Sequence, residues 1–196
     1  MQREVFEGKA HLDSDRVTFR GGARLDLPFS QLRSAKVAPG GELVLTHAGG
    51  VATLGLGDRA TAEKWALKIR YPKSLIDKLG VKPESHVVVL GVTDPEFSRQ
   101  LRERLARPAG SRLVAGVNVI FFAADSAGEL GRLASLKRHL QPDGAIWVVS
   151  LKGAAARIKD TEVMAAARAA GLVDNKVCGF SPTHTALRLV IPKAAR

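Results

Sequence analysis

Only one of the 196 residues is a cysteine, Cys178, which excludes an internal disulfide and a thiolate-rich metal set and points to a reducing cytoplasm. Cys178 stands in "LVDNKVCGFS", which reads as a strand, where a small buried thiol fits better than a reactive one. Aromatic residues make up 5%, leaving little to stack on bases. No apolar run approaches the roughly 20 residues that span a bilayer, and "MQREVFEGKAHLDSDR" lacks the apolar core of a secretory signal. His11, His47, His86, His139 and His184 form no close pair in the sequence, so no metal site is expected. Phosphate-binding loops, nucleophile elbows and zinc-hydrolase helices are also missing. The remaining composition, 45% hydrophobic and 25% charged, is that of an ordinary globular protein.

Acidic residues are in short supply, and the net charge is +11. Residues 1–72 hold 11 Lys and Arg against 8 Asp and Glu, whereas residues 73–196 hold 19 against 11, so most of the excess lies in the second half. Such an excess attracts polyanions. No run of consecutive Lys or Arg longer than the pair Lys137-Arg138 occurs, and in the helical stretch 96–107 the residues Arg99, Arg102, Arg104 and Arg107 enclose Glu103 at i,i+4 spacings. The nucleic-acid binding to expect is weak, non-specific and salt-sensitive.

Residues 1–72 read as a small β domain closed by a helix. Segments such as "DRVTFRG", "LRSAKVA", "GELVLTH" and "GVATLGLG" alternate partially, and Asp13-Ser14-Asp15, Gly21-Gly22, Pro39-Gly40-Gly41 and Gly49-Gly50 punctuate them. Gly-Gly between such segments is a hairpin signal, since two-residue turns demand positive φ. In "RATAEKWALKIR", Ala62, Trp65, Ala66 and Ile69 recur on one helical face, with Trp65 as the expected plug of the core. Pro72 ends this helix and sets the boundary.

Residues 73–196 alternate strand and helix. "SLIDKLG" is a short helix with Ser74 as N-cap and Gly80 as its stop. "HVVVLG" is a continuous apolar run, as a strand buried on both faces should be, and "VNVIFFAA" reads as a second buried strand. Between them "DPEFSRQLRERLAR" carries Asp94 as cap, Pro95 at the first helical position and an inward stripe of Phe97, Leu101 and Leu105. "DSAGELGRLASLKRHL" reads as one helix with a Ser126/Glu129 capping box and Leu130, Leu133, Leu136 and Leu140 inward. The strand "PDGAIWVVSL", the helix "DTEVMAAARAAG" and a hairpin around "SPTHT" complete a mostly parallel, three-layer α/β sheet.

Two resemblances follow from these stretches. "LPFSQLRSAKVAPGGELVLTHAGGVATLGLG" followed by "AEKWALKI" resembles the latter half of bacterial pleckstrin-homology-like domains. Asp13 and Asp15 occupy the first hairpin, where phosphoinositide-binding members place basic residues, so lipid-headgroup binding is not carried over. "LQPDGAIWVVSL", "AARAAGLVDNKVCGF" and the closing hairpin resemble the class I methyltransferases, whose Rossmann-like sheet ends in an antiparallel strand. "KSLIDKLGVKPESHVVVLG" with "AGLVDNKVCGFSPTHTALRLVIP" is similar to an uncharacterised bacterial family, a domain of unknown function with a methyltransferase-like fold.

The methyltransferase resemblance implies S-adenosylmethionine, held by a glycine-rich loop after the first strand and by an acidic residue after the second. Here the loop is "LGVTDPEF", with Gly91 its only glycine. The nine residues "PAGSRLVAG" between the first helix and the next strand have room for one short strand, "SRLVA", and contain no acid. No cofactor is therefore expected, and the reading favoured is a non-catalytic binding or accessory protein with a protein or small-ligand partner. A methyltransferase or other small-ligand enzyme is the alternative, and a nucleic-acid binder the second.

Ligands of open α/β sheets sit beyond the carboxyl ends of the strands. Those ends here offer Asp125 with Ser126, then Lys152, then the hairpin tip with Thr183 and His184, while Asp160 and Thr161 begin the helix after "SLKGAAARIKD". Asp125, Lys152, Asp160 and His184 are thus the candidate crevice residues, a set able to capture an anion or move a proton. Asp125 and Asp160 also fit as helix caps, and Lys152 and His184 as surface loop residues.

Overall fold

The computed structural model describes residues 4–195, and the chain forms two units, Met1–Lys73 and Ser74–Arg196. The first unit is two antiparallel three-stranded sheets and a helix. β1 (Gly8–Leu12), β2 (Arg16–Gly21) and β3 (Arg24–Pro28) form one sheet in that order. β4 (Leu32–Val37), β5 (Leu43–His47) and β6 (Gly50–Leu54) form the other, and α1 (Arg59–Arg70) follows.

Asp58 caps α1 by accepting the Thr61 N–H at 2.7 Å, and Ala62, Ala66 and Ile69 are buried against Val17, Leu27, Leu43 and Leu45. Trp65 is only partly buried at the margin of this cluster, so it is not the plug that its spacing suggested. The small alanines let the helix approach the sheets closely, and the bulky indole is pushed to the rim. At the Gly21-Gly22 turn neither glycine has positive φ. What glycine provides there is closeness, since a Cβ on Gly21 would lie 2.1 Å from the Glu7 carbonyl oxygen.

The second unit begins with α2 (Leu75–Leu79), capped by Ser74 and ended by Gly80 in the left-handed region at φ 73°. The strands β7 (Val87–Leu90), β8 (Val117–Ala123), β9 (Leu140–Leu151), β10 (Val173–Gly179) and β11 (His184–Val190) make one sheet of order β10-β11-β9-β8-β7. β7, β8 and β9 run parallel, while β11 pairs antiparallel with both β9 and β10. The connecting helices are α3 (Pro95–Arg104), α4 (Ala127–Leu130), α5 (Leu133–Lys137) and α6 (Asp160–Ala169).

Both faces of the sheet are covered. On one, Ile120, Phe122, Ile146 and Val148 meet Leu130, Leu133, Leu136, Val163 and Ala167. On the other, Val119, Phe121, Trp147 and Val149 meet Ile76, Leu79, Phe97 and Leu101. The stretch expected as one helix from Ser126 is two short ones. Gly128 and Gly131 weaken helical continuity there, and Leu140 belongs to β9 instead. The expected strand "SRLVA" is also absent. In its place Gly110 makes a single parallel bridge to Val88, its N–H donating to the Val87 carbonyl at 2.8 Å and its carbonyl accepting the Val89 N–H at 2.9 Å.

Candidate site at the carboxyl ends of the strands

The parallel strands all end on one edge, and main-chain bonds fix the candidate residues there. Asp125, just past β8, accepts the Leu151 N–H at the end of β9 at 2.9 Å. Its carboxylate therefore ties two strand ends together and is not a helix cap. The cap of α4 is Ser126, which accepts the Glu129 N–H at 3.3 Å, while the Glu129 carboxylate accepts the Asp125 N–H at 2.8 Å and the Ser126 hydroxyl at 2.8 Å. These donors, the Asp125 N–H first, hold Glu129 below the usual carboxylate range.

Lys152 follows β9, and its N–H donates to the Thr183 carbonyl at 3.0 Å, while His184 stands opposite Leu151 in register. The "SPTHT" tip is closed on itself. Ser181 Oγ accepts the His184 N–H at 3.1 Å, and His184 Nδ1 lies 2.9 Å from Thr183 Oγ1 and 3.3 Å from Ser181 Oγ. Asp125, Lys152 and His184 are thus gathered at one sheet edge by backbone register. Their side chains form no hydrogen bond or ion pair with one another among the described residues.

Asp160 is the first residue of α6 and not its cap. Lys159 occupies the cap position, with its N–H donating to the Glu162 carboxylate at 2.8 Å. A lysine side chain has no acceptor, so only the Glu162 half of a capping box exists there. The long loop before α6 is anchored by Ile158, which is buried in the core, and residues 153–155 form a turn of 3-10 helix. Among the described residues, no three His, Cys, Asp or Glu side chains come together as a metal site would need.

The residues after β7 do not fit the cofactor implied by the methyltransferase resemblance. Gly91 has φ 74°, but a Cβ there would already meet the Ala123 Cβ at 3.3 Å, and Val92 packs into the core beside it. Asp94 is committed to capping α3, accepting the Phe97 N–H at 2.8 Å. Where a second strand would carry the ribose-binding acid, residues 105–116 make only the Gly110 bridge and include no Asp or Glu.

The charged helix face behaves as the spacing predicts in one pair and not the other. Arg99 holds both Glu96 and Glu103 at 2.6 Å. Arg107 lies beyond the end of α3, and Arg104 instead pairs with Asp77 of α2.

A parallel sheet closed by an antiparallel strand inserted before its last member resembles the methyltransferase-like α/β sheets. Residues 76–193 match the family described as a protein of unknown function (DUF3052), and the chain belongs to that family. No curated protein matches the sequence. Solved structures similar to it include a TehB-like SAM-dependent methyltransferase from Corynebacterium glutamicum, at 13% identity and TM-score 0.40 over 68% of this chain and 97% of that one. The Methanococcus jannaschii fibrillarin pre-rRNA processing protein is 14% identical, with TM-score 0.40 over 96% of this chain and 99% of its own. The CcbJ methyltransferase from Streptomyces caelestis is 11% identical, with TM-score 0.39 over 60% and 93%.

Proposed function

We propose that this DUF3052 protein acts by binding and not by methyl transfer, as a cytoplasmic accessory protein. In this reading a pleckstrin-homology-like module over residues 1–72 precedes a cofactor-less methyltransferase-like unit over residues 73–196. The observation that carries it is the reduction of the second strand to one bridge at Gly110, in a segment with no carboxylate to receive ribose hydroxyls. Backbone geometry also supports the edge with Asp125, Lys152, Asp160 and His184 as the interaction face of this unit, since loops at that edge carry function on a rigid scaffold. Titration calorimetry of the full chain with S-adenosylmethionine and S-adenosylhomocysteine tests the reading. No heat of binding is expected up to millimolar ligand. Saturable binding in the micromolar range would restore the enzyme.

A further inference from the structure

We infer that the groove between β4 and α1 receives an extended, acidic segment of a partner protein, which adds as a strand along the open edge of β4. The groove has a volume of about 530 Å³ and is lined by Lys36 and Val37 of β4 and by Glu63, Leu67 and Arg70 of α1. β4 is an outer strand paired only with β5, so alternate main-chain N–H and C=O groups point away from its sheet. Such an edge is a template for one more strand. Beside it, Glu63, Leu67 and Arg70 recur at i, i+4 and i+7 and form one stripe along α1.

Leu67 is the exception on that helix. Ala62, Ala66 and Ile69 are buried, but Leu67 is 53% exposed, so it offers apolar surface beside the half-buried Val37. An added strand would place every second side chain against this floor, at about 6.6 Å intervals. The polar lining decides which strand. Glu63 is already engaged by Arg59 at 2.8 Å. Among the described residues Lys36 makes no ion pair, and Arg70 donates to the Ala66 carbonyl at 3.3 Å and lies over the Tyr71 ring, without a carboxylate partner. The uncompensated charge is therefore positive. An edge lysine discourages pairing with neutral or basic strands, and a carboxylate in the added segment turns that repulsion into selection. The occupant is a segment with an apolar residue over Val37 and Leu67, flanked by Glu or Asp near Lys36 and Arg70. The floor of Leu67 and the strand edge favour a peptide over a nucleic-acid backbone.

Docking at this groove rests on the binding reading of the protein, but the two are measured at different places. Peptide binding reports on β4 and α1, whereas cofactor calorimetry reports on the loop after β7, so either can fail alone. The probe is a fluorescein-labelled decapeptide of alternating Glu and Val, titrated into the full chain at low salt by anisotropy, with amide shifts followed by NMR. Binding is expected with shifts confined to residues 33–38 and 63–70, weakened about tenfold by Leu67→Glu and by Lys36→Glu. Both positions are solvent-exposed, and unchanged circular dichroism would confirm that the variants fold. A matching Lys/Val peptide should not bind. No binding at 1 mM, shifts elsewhere, or equal binding of the Lys/Val peptide would each overturn the inference. So would self-association of the chain that Leu67→Glu abolishes, since a second copy would then be the occupant.

Discussion

Replacing Trp147 by Phe should loosen α2 more than any surface change on that helix. α2 is five residues long, too short to persist without tertiary support, and its end carbonyls need partners. The Ile76 and Asp77 carbonyls accept the N–H groups of Val81 and Gly80, at 3.2 Å each. The last two are served from the sheet: Lys176 Nζ donates to the Lys78 carbonyl at 2.5 Å, and Trp147 Nε1 donates to the Leu79 carbonyl at 3.1 Å. Trp147 is fully buried, so Phe would leave the Leu79 oxygen without a donor in a dry site. An unsatisfied buried acceptor costs about 1–3 kcal/mol. The smaller ring adds a packing loss of about 1 kcal/mol. The sum is roughly 2–4 kcal/mol. Lys176→Met, by contrast, exposes the Lys78 carbonyl to water at a cost of about 0–1 kcal/mol. Because the chain has two units, one global unfolding free energy is a poor readout. Amide hydrogen exchange at Gly80 and Val81 is the better assay, with the amides of β5 as an internal reference. If Trp147→Phe leaves Gly80 and Val81 protected within 0.5 kcal/mol of the parent, the indole bond is not what holds α2, and the reasoning fails.

Gly144→Ala should destabilise the second unit by about 1–3 kcal/mol, because its Cβ would meet the carbonyl oxygens of Val117, Asn118 and Gln141 at 3.0 Å, and all three are backbone. Denaturant unfolding followed by circular dichroism checks this, and a midpoint equal to the parent's would contradict it. The Glu96 carboxyl, gripped first by Arg99 and then by Gln100, should titrate at about 2 rather than 4.5 in a carbon-detected NMR titration. Since the folded value is the depressed one, the support that this pair gives α3 is complete above about pH 4.5 and is lost as pH falls toward 2. At 1 M salt the midpoint should climb back toward the ordinary value, as both groups are exposed; a salt-independent midpoint would mean that the ion pair is not its cause.

The strand runs were legible because their signal is local and redundant. Val87–Leu90 and Val119–Ala123 are apolar at successive positions, as burial on both faces requires, and both lie in the parallel part of the sheet. The caps at Ser74 and Asp94 were legible for the same reason, since donor and acceptor stand three residues apart. What escaped the sequence depends on partners far along the chain. The Asp125 carboxylate looked like a cap because the residues after it are helical, yet it serves Leu151, 26 residues on. Trp147 and Leu79 are 68 residues apart, with no pattern linking them. The leucine spacing from Leu130 to Leu140 suits one helix or two, and only Gly128 and Gly131 hinted at the break. Trp65 shared a helical face with Ala62, Ala66 and Ile69, but spacing cannot say that the tight alanine contact leaves no depth for an indole.

The Gly110 bridge explains how the sheet can stop at β7 without leaving a sticky edge. An outer strand normally exposes a row of unpaired main-chain groups, and β7 is the outer strand of this sheet. β7 has only four residues, however, and the outward groups flanking Val88 are the Val87 carbonyl and the Val89 N–H. Those two are the groups that Gly110 takes, one as donor and one as acceptor. A single residue thus pairs the two groups that flank Val88 on this edge. The segment around it then needs no further β structure, and residues 105–116 can run as a loop without opening the sheet to another chain. The short β7 and the single bridge are matched to each other.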